Sequence, residues 1–100
     1  FLDTENARIF VYLGFSYNLA GKKQAALNSY YRAVSLNPDD KAARNNLAVT
    51  LYANKMYEKS FREYQILLSK FPDFAEAYFN LGILLLAMKD KSNALRQMAK

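Results

Sequence analysis

Residues 10–40 read FVYLGFSYNLAGKKQAALNSYYRAVSLNPDD, and the fold follows from how this stretch is punctuated. Its first part places apolar side chains at Phe10, Leu13, Gly14 and Tyr17, spaced three, one and three, so they share one helical face. Ala20-Gly21-Lys22 interrupts that spacing, and glycine is the residue a helix most favours just past its C-terminus. A second amphipathic run carries Ala26, Leu27, Tyr30, Ala33 and Val34 up to Leu36. Asn37-Pro38-Asp39-Asp40 ends it. The residue before a proline disfavours helical geometry, and Asp suits the start of the next helix. The stretch predicts two helices joined by a short turn.

Moving outward, the same unit returns every 34 residues. Leu13-Gly14 comes back as Leu47-Ala48 and Leu81-Gly82 (47 − 13 = 34; 81 − 47 = 34). Pro38-Asp39 returns as Pro72-Asp73. Ala26, Ser60 and Ala94 keep the step with small residues, and Leu27, Phe61 and Leu95 keep it with large ones. Tyr30, Tyr64 and Met98 form another set, and Ile9, Ala43 and Ala77 a further one. A period of this length marks a stacked repeat architecture. Helices are expected near 7–20 and from the turn to Leu36, then 41–54 and 57–70, then 75–88 and 91–100. The expected fold is all-α, a superhelix (solenoid) of antiparallel helix pairs in a single domain, 1–100. Its repeats are 7–40, 41–74 and 75–100, the last truncated, with 1–6 as the tail of a preceding repeat or a linker. These end segments lead us to expect a longer parent chain.

The residues at fixed places in the unit resemble the tetratricopeptide repeat. They are a bulky residue (Phe10, Arg44, Tyr78), the Leu-Gly step (Leu13-Gly14, Leu47-Ala48, Leu81-Gly82) and a large apolar residue three further on (Tyr17, Leu51, Leu85). A small residue opens the second helix (Ala26, Ser60, Ala94), followed by an aromatic (Tyr30, Tyr64) and a closing proline (Pro38, Pro72). Arg44, Ala48 and Met98 depart from the pattern. On this reading Gly14, Ala48 and Gly82 face the second helix of their own unit, opposite Ala26, Ser60 and Ala94. Tyr30 and Tyr64 fill the space between units. One unit cannot bury its apolar faces alone, so stability comes from stacking.

The first helix of each unit carries a second apolar stripe: Val11, Phe15 and Leu19; Val49 and Tyr52; Phe79, Ile83 and Leu86. Spacings of three and four put these residues on one side. The resemblance implies that this side lines the concave surface, where such proteins usually bind ligands. The implied groove comprises Arg8, Val11, Phe15, Asn18, Leu19, Asn45, Asn46, Val49, Tyr52, Glu76, Phe79, Asn80, Ile83 and Leu86. An apolar groove suits the nonpolar face of a partner helix or an extended hydrophobic peptide. The alternative is that the stripe packs against neighbouring repeats or a further C-terminal helix. Some family members grip a C-terminal carboxylate with Lys, Asn, Asn, Lys and Arg. The matching places here are Val11, Phe15, Asn46, Glu76 and Asn80. Only Asn46 fits, and Glu76 would repel a carboxylate, so that specialisation is rejected.

Composition narrows the function classes. The chain has no Cys and no His. Thiolate chemistry and Cys-based zinc sites are excluded, and the commonest general base and metal ligand is missing. Asp39-Asp40 reads as a helix cap and not as a catalytic pair. We expect no enzyme activity, no cofactor, no metal and no small-molecule substrate. The lack of Cys leaves the compartment open, with the cytoplasm as the default. No apolar run approaches the roughly 20 residues of a membrane span. The net charge is +5. Lys22, Lys23, Lys55, Lys59, Lys89 and Lys91 are expected at turns within units, along one edge. Asp3, Glu5, Asp39, Asp40, Asp73 and Glu76 gather at the joins, where helix dipoles favour negative charge. A basic edge without interleaved exposed aromatics makes nucleic acid the weaker reading. The expected role is a protein-interaction scaffold. The alternatives are a self-assembly module forming a homo-oligomer, or a substrate-recruiting arm of a larger enzyme.

Overall fold

The computed structural model describes residues 3–99. Among them are five helices and no strand: α1 (Thr4–Leu19), α2 (Lys23–Leu36), α3 (Lys41–Ala53), α4 (Tyr57–Lys70) and α5 (Ala75–Ala99). Each helix packs chiefly on its neighbours in chain order, and α3 also touches α5. The result is an all-α superhelix one helix pair thick, with extents of 53 × 31 × 18 Å.

The helix starts follow from their caps. The Asp3 carboxylate accepts from the Asn6 N–H at 3.2 Å, and the Asp40 carboxylate accepts from the Ala43 N–H at 3.2 Å. Each satisfies a donor that the first turn leaves without an intrahelical partner. Because Asp3 caps it, α1 begins at Thr4 and not at 7. Residues 4–6 are therefore helix and not a linker; Phe1 and Leu2 lie outside the described residues.

The turns inside the first two units are built alike. Gly21 has φ +75° and Lys55 φ +61°. In each, two hydrogen bonds run backward. Lys22 N–H donates to the Tyr17 carbonyl and Gly21 N–H to Asn18; Met56 N–H donates to Leu51 and Lys55 N–H to Tyr52. This paired arrangement is the Schellman helix stop, and it needs a left-handed residue at its apex. Gly21 takes that conformation freely. Lys55 takes it at a steric cost, assisted by Asn54, whose amide donates to the Thr50 carbonyl at 2.8 Å.

The third unit departs from expectation. Lys89 occupies the apex position one period on, but α5 continues as one 25-residue helix. Met88 replaces the helix-terminating Asn54, and residues 83–99 contain neither Gly nor Pro. In place of the helices expected over 75–88 and 91–100, the described residues 75–99 form a single rod, and Lys89 and Lys91 lie within a helix and not in a turn. Gly82 has no second helix to face. It is exposed, with nothing within 4 Å of a Cβ built on it. The expected partner position, Ala94, has its side chain outside the described residues.

In the first two units the small residues do what their size predicts. A Cβ on Gly14 would lie 2.7–2.8 Å from three atoms of the Tyr30 ring. Ala48 packs where the Ser60 hydroxyl donates to its carbonyl at 2.7 Å. Tyr30 reaches the next unit, in a cluster with Leu27 and Val34 of α2 and Ala43, Leu47 and Leu51 of α3. Tyr64 does the same with Leu67 of α4 and Ala77 and Leu84 of α5. Leu47, Leu51, Leu67 and Leu84 are fully buried, and each contributes about 1.5–3 kcal/mol by leaving water.

Candidate functional site

Packing the second face of α1, α3 and α5 inward leaves their other apolar stripe outside. Phe15 (58%), Leu19 (76%), Phe79 (61%) and Leu86 (66%) are strongly exposed, and Val49 and Ile83 are about 40% exposed. Free surface of this kind, carried by three first helices, marks an interaction site more often than idle surface.

Hydrogen bonds tie these helices together. The Asn18 amide of α1 donates to the Thr50 hydroxyl of α3 at 3.1 Å. The Asn80 amide of α5 donates to the Asn45 side-chain carbonyl of α3 at 3.3 Å. Where α3 meets α5, Val49, Tyr52, Tyr64, Asn80 and Ile83 line a pocket of about 110 Å³. Four of these five residues belong to the groove expected from sequence. Tyr64 does not; its place in the repeat marked it as a spacer between units, and only the fold brings it to the pocket wall.

The remaining stripe residues divide by depth. Arg8, Asn18 and Glu76 are exposed, whereas Asn46, Tyr52 and Asn80 are half-buried. Val11 is also half-buried and packs on the first core cluster. Asn45 is a correction, being 4% exposed. It sits beneath the seam as an acceptor for Asn80 and is not on the groove surface. No spacing in the sequence distinguishes it from half-buried Asn46, because the difference comes from the approach of α5.

Burial raises the Tyr64 phenol to about 12, and the nearby Glu76 charge adds to the shift. Burial also raises Tyr30, with a hydrogen bond from Asn18 opposing it. Both phenols stay neutral in any ordinary buffer, so Tyr64 presents no charge to the seam pocket. The sign for stability follows. The unfolded chain ionises Tyr64 near pH 10 and the folded chain only near 12. Its contribution is complete below pH 10 and is lost as pH rises toward 12. Thermal melts over this range are expected to fall progressively, and Tyr64→Phe should flatten the slope.

Among the described residues there is no group of three or more acidic side chains placed to hold a metal ion. No helix of the described residues is long and apolar enough to cross a membrane. A second, larger cleft of about 580 Å³ opens beside α5, lined by Lys55, Tyr57, Ala87, Asp90 and Lys91. It was not foreseen, because it exists only where α5 runs on past the place expected for its turn.

Comparison with known proteins agrees with this architecture. The sequence profile of the tetratricopeptide repeat matches residues 20–64 and 57–100. A TPR repeat-containing thioredoxin of Arabidopsis thaliana is 33% identical over 78 residues, which is 78% of this chain and 11% of that protein. Among solved structures, MamA superposes with a TM-score of 0.79 at 26% identity, over 95% of this chain and 52% of that one. YrrB, described as a TPR protein with an unusual peptide-binding site, gives 0.79 at 26% identity, over 94% and 48%. The chain thus spans about half the length of these structures and about a tenth of the thioredoxin.

Proposed function

The chain belongs to the tetratricopeptide-repeat family, and from that premise we propose that it is a protein-interaction scaffold that receives an apolar peptide or helix on the exposed stripe of α1, α3 and α5. Repeats of this family generally mediate protein–protein contacts and are generally non-enzymatic. The observation that carries the finer reading is the run of Phe15, Leu19, Val49, Phe79, Ile83 and Leu86. These are large apolar side chains from three helices, all substantially open to solvent. The bare stripe has an apolar surface cost that an amphipathic partner removes. The seam pocket offers a recess for one anchoring side chain, and the half-buried Asn46 and Asn80 offer amides to a ligand backbone. The peptide-binding structural neighbour supports the same reading.

The test is a double variant, Phe15→Ser with Phe79→Ser. Peptides of about a dozen residues are first selected on the parent chain from a displayed library. The selected sequences should carry apolar residues at helical or alternate spacing. The double variant is expected to bind them at least about tenfold more weakly, since each lost aromatic anchor is worth over 1 kcal/mol. Its melting temperature should stay close to the parent's. A variant that unfolds shows that the stripe belongs to the core. A variant that binds as the parent does places the peptide elsewhere.

Two other roles remain to be separated from this one. A self-assembling module would show mass rising with concentration. A recruiting arm of an enzyme, suggested by the thioredoxin relative, would be evident from catalytic sequence flanking the repeats.

A further inference from the structure

We infer that the partner of the exposed stripe is an amphipathic helix carrying a branched aliphatic side chain and, seven residues away, a single carboxylate, laid along the seam between α3 and α5. This inference rests on the groove reading above and adds the partner's chemistry to it. The seam holds two recesses end to end. The first is the pocket of about 110 Å³ lined by Val49, Tyr52, Tyr64, Asn80 and Ile83. The second is the cleft of about 580 Å³ lined by Lys55, Tyr57, Ala87, Asp90 and Lys91. The Tyr52 and Tyr57 rings, with centroids 5.7 Å apart, form the partition between them.

The two recesses suit different groups. The pocket is mostly apolar, and size decides its guest. An apolar cavity of about 150 Å³ holds one benzene ring. At about 110 Å³ this pocket takes Leu, Ile or Val and is too small for Phe or Trp. The cleft is charged. Lys55 and Lys91 are exposed, and among the described residues neither is held in an ion pair. The Lys91 ammonium stands 5.7 Å from the Tyr57 ring centroid, a cation–π contact that keeps it at the cleft wall. Asp90 offsets one of the two cations, so the cleft keeps a single net positive charge. That charge complements one carboxylate and gives a polyanion such as a nucleic acid little to hold.

The spacing comes from α5 itself. Ile83 in the pocket and Asp90 in the cleft are seven residues apart (90 − 83). With Phe79 and Leu86 they follow steps of four, three and four, so they share one side of the helix. Seven helical residues advance about 10.5 Å. A ligand helix lying beside α5 has the same step, so two of its side chains seven apart reach both recesses from one face. An extended chain covers that distance in about three residues, and an odd step points the two side chains to opposite faces. Val49 and Tyr52 on one bank of the seam, and Phe79 and Leu86 on the other, offer apolar contact across a helix's width.

The test uses fluorescent amphipathic peptides of about 18 residues, long enough to form a helix. One carries Leu and Glu seven residues apart on its apolar face; a control of the same composition carries them five apart. Fluorescence anisotropy should show the first binding at least about tenfold more tightly. Replacing its Glu with Lys should weaken it about five- to tenfold, and Lys91→Glu in the protein should restore that loss. Replacing its Leu with Phe should weaken it by a similar factor. Lys55→Gly removes one cation and relieves the left-handed strain at φ +61°, so affinity for the Glu peptide should fall while the melting temperature rises. A peptide that needs Phe15 and Phe79 but ignores spacing and charge overturns this inference and leaves the groove reading standing. A peptide indifferent to Phe15 and Phe79 as well overturns both. If neither designed helix binds while library peptides do, the partner is not this helix and the inference fails alone.

Discussion

Replacing Glu63 with Ala is expected to cost about 3–5 kcal/mol, the loss typical when one partner of a buried ion pair is removed. Arg44 stands where the other units carry Phe10 and Tyr78, and it is only 8% exposed. Its guanidinium donates to the Glu63 carboxylate at 2.7 Å, with side-chain exposures of 10% and 16% for the pair. The other contact is weak, a 3.5 Å approach to the Pro38 carbonyl, and Nε has no partner at all. Without Glu63 a buried cation is left almost alone. Equilibrium urea denaturation measures the loss. The double replacement Arg44→Tyr with Glu63→Leu should stay near the parent, since an apolar pair of similar volume often replaces a buried ion pair at little cost. A loss below about 1 kcal/mol for Glu63→Ala would mean that water reaches Arg44, as at an exposed pair.

The second large effect is expected at Gly14. Leu there must place its Cβ where the Tyr30 ring already sits, and that ring is 2% exposed and packed against α3. The ring has nowhere to go, so α1 must separate from α2. Cooperative unfolding should be lost, as measured by circular dichroism during heating. Gly14→Ala should cost less, about 1–3 kcal/mol for overpacking, because the second unit shows the accommodated version with Ala48 in the same place. Gly82→Ala should behave in the opposite sense on the rod. The site is open, and Ala in a helix interior gains up to about 1 kcal/mol over Gly. If Gly14→Leu melted as the parent does, the pairing of α1 with α2 would be wrong.

Sequence reasoning reached most of the fold because its signals are local. Gly21, Pro38 and the three-and-four spacing of Phe10, Leu13 and Tyr17 act within a single unit. The structure places α1 to α4 within a few residues of where those signals put them. It failed at Lys89, where repeat symmetry argued for a turn but the residues themselves favour helix. Periodicity reports where the turn stands in the other units, whereas helix termination depends on the side chains at each place, such as Asn54 in one unit and Met88 in the next. The stripe was legible for the same local reason. The depth of Asn45 and the presence of Tyr64 in the seam pocket were not, because both depend on how closely one helix approaches another.

The packing of each helix on its neighbours in chain order has a kinetic consequence. Nearly every contact closes a short loop, so little chain entropy is spent before the first stabilising contact forms. Collapse can start at either complete hairpin, and the α2–α3 junction, which holds Tyr30, Leu47 and Leu51, joins them. The far end of α5 has no such neighbour and makes its order last, so the molecule assembles from its middle outward and loosens from that tip inward.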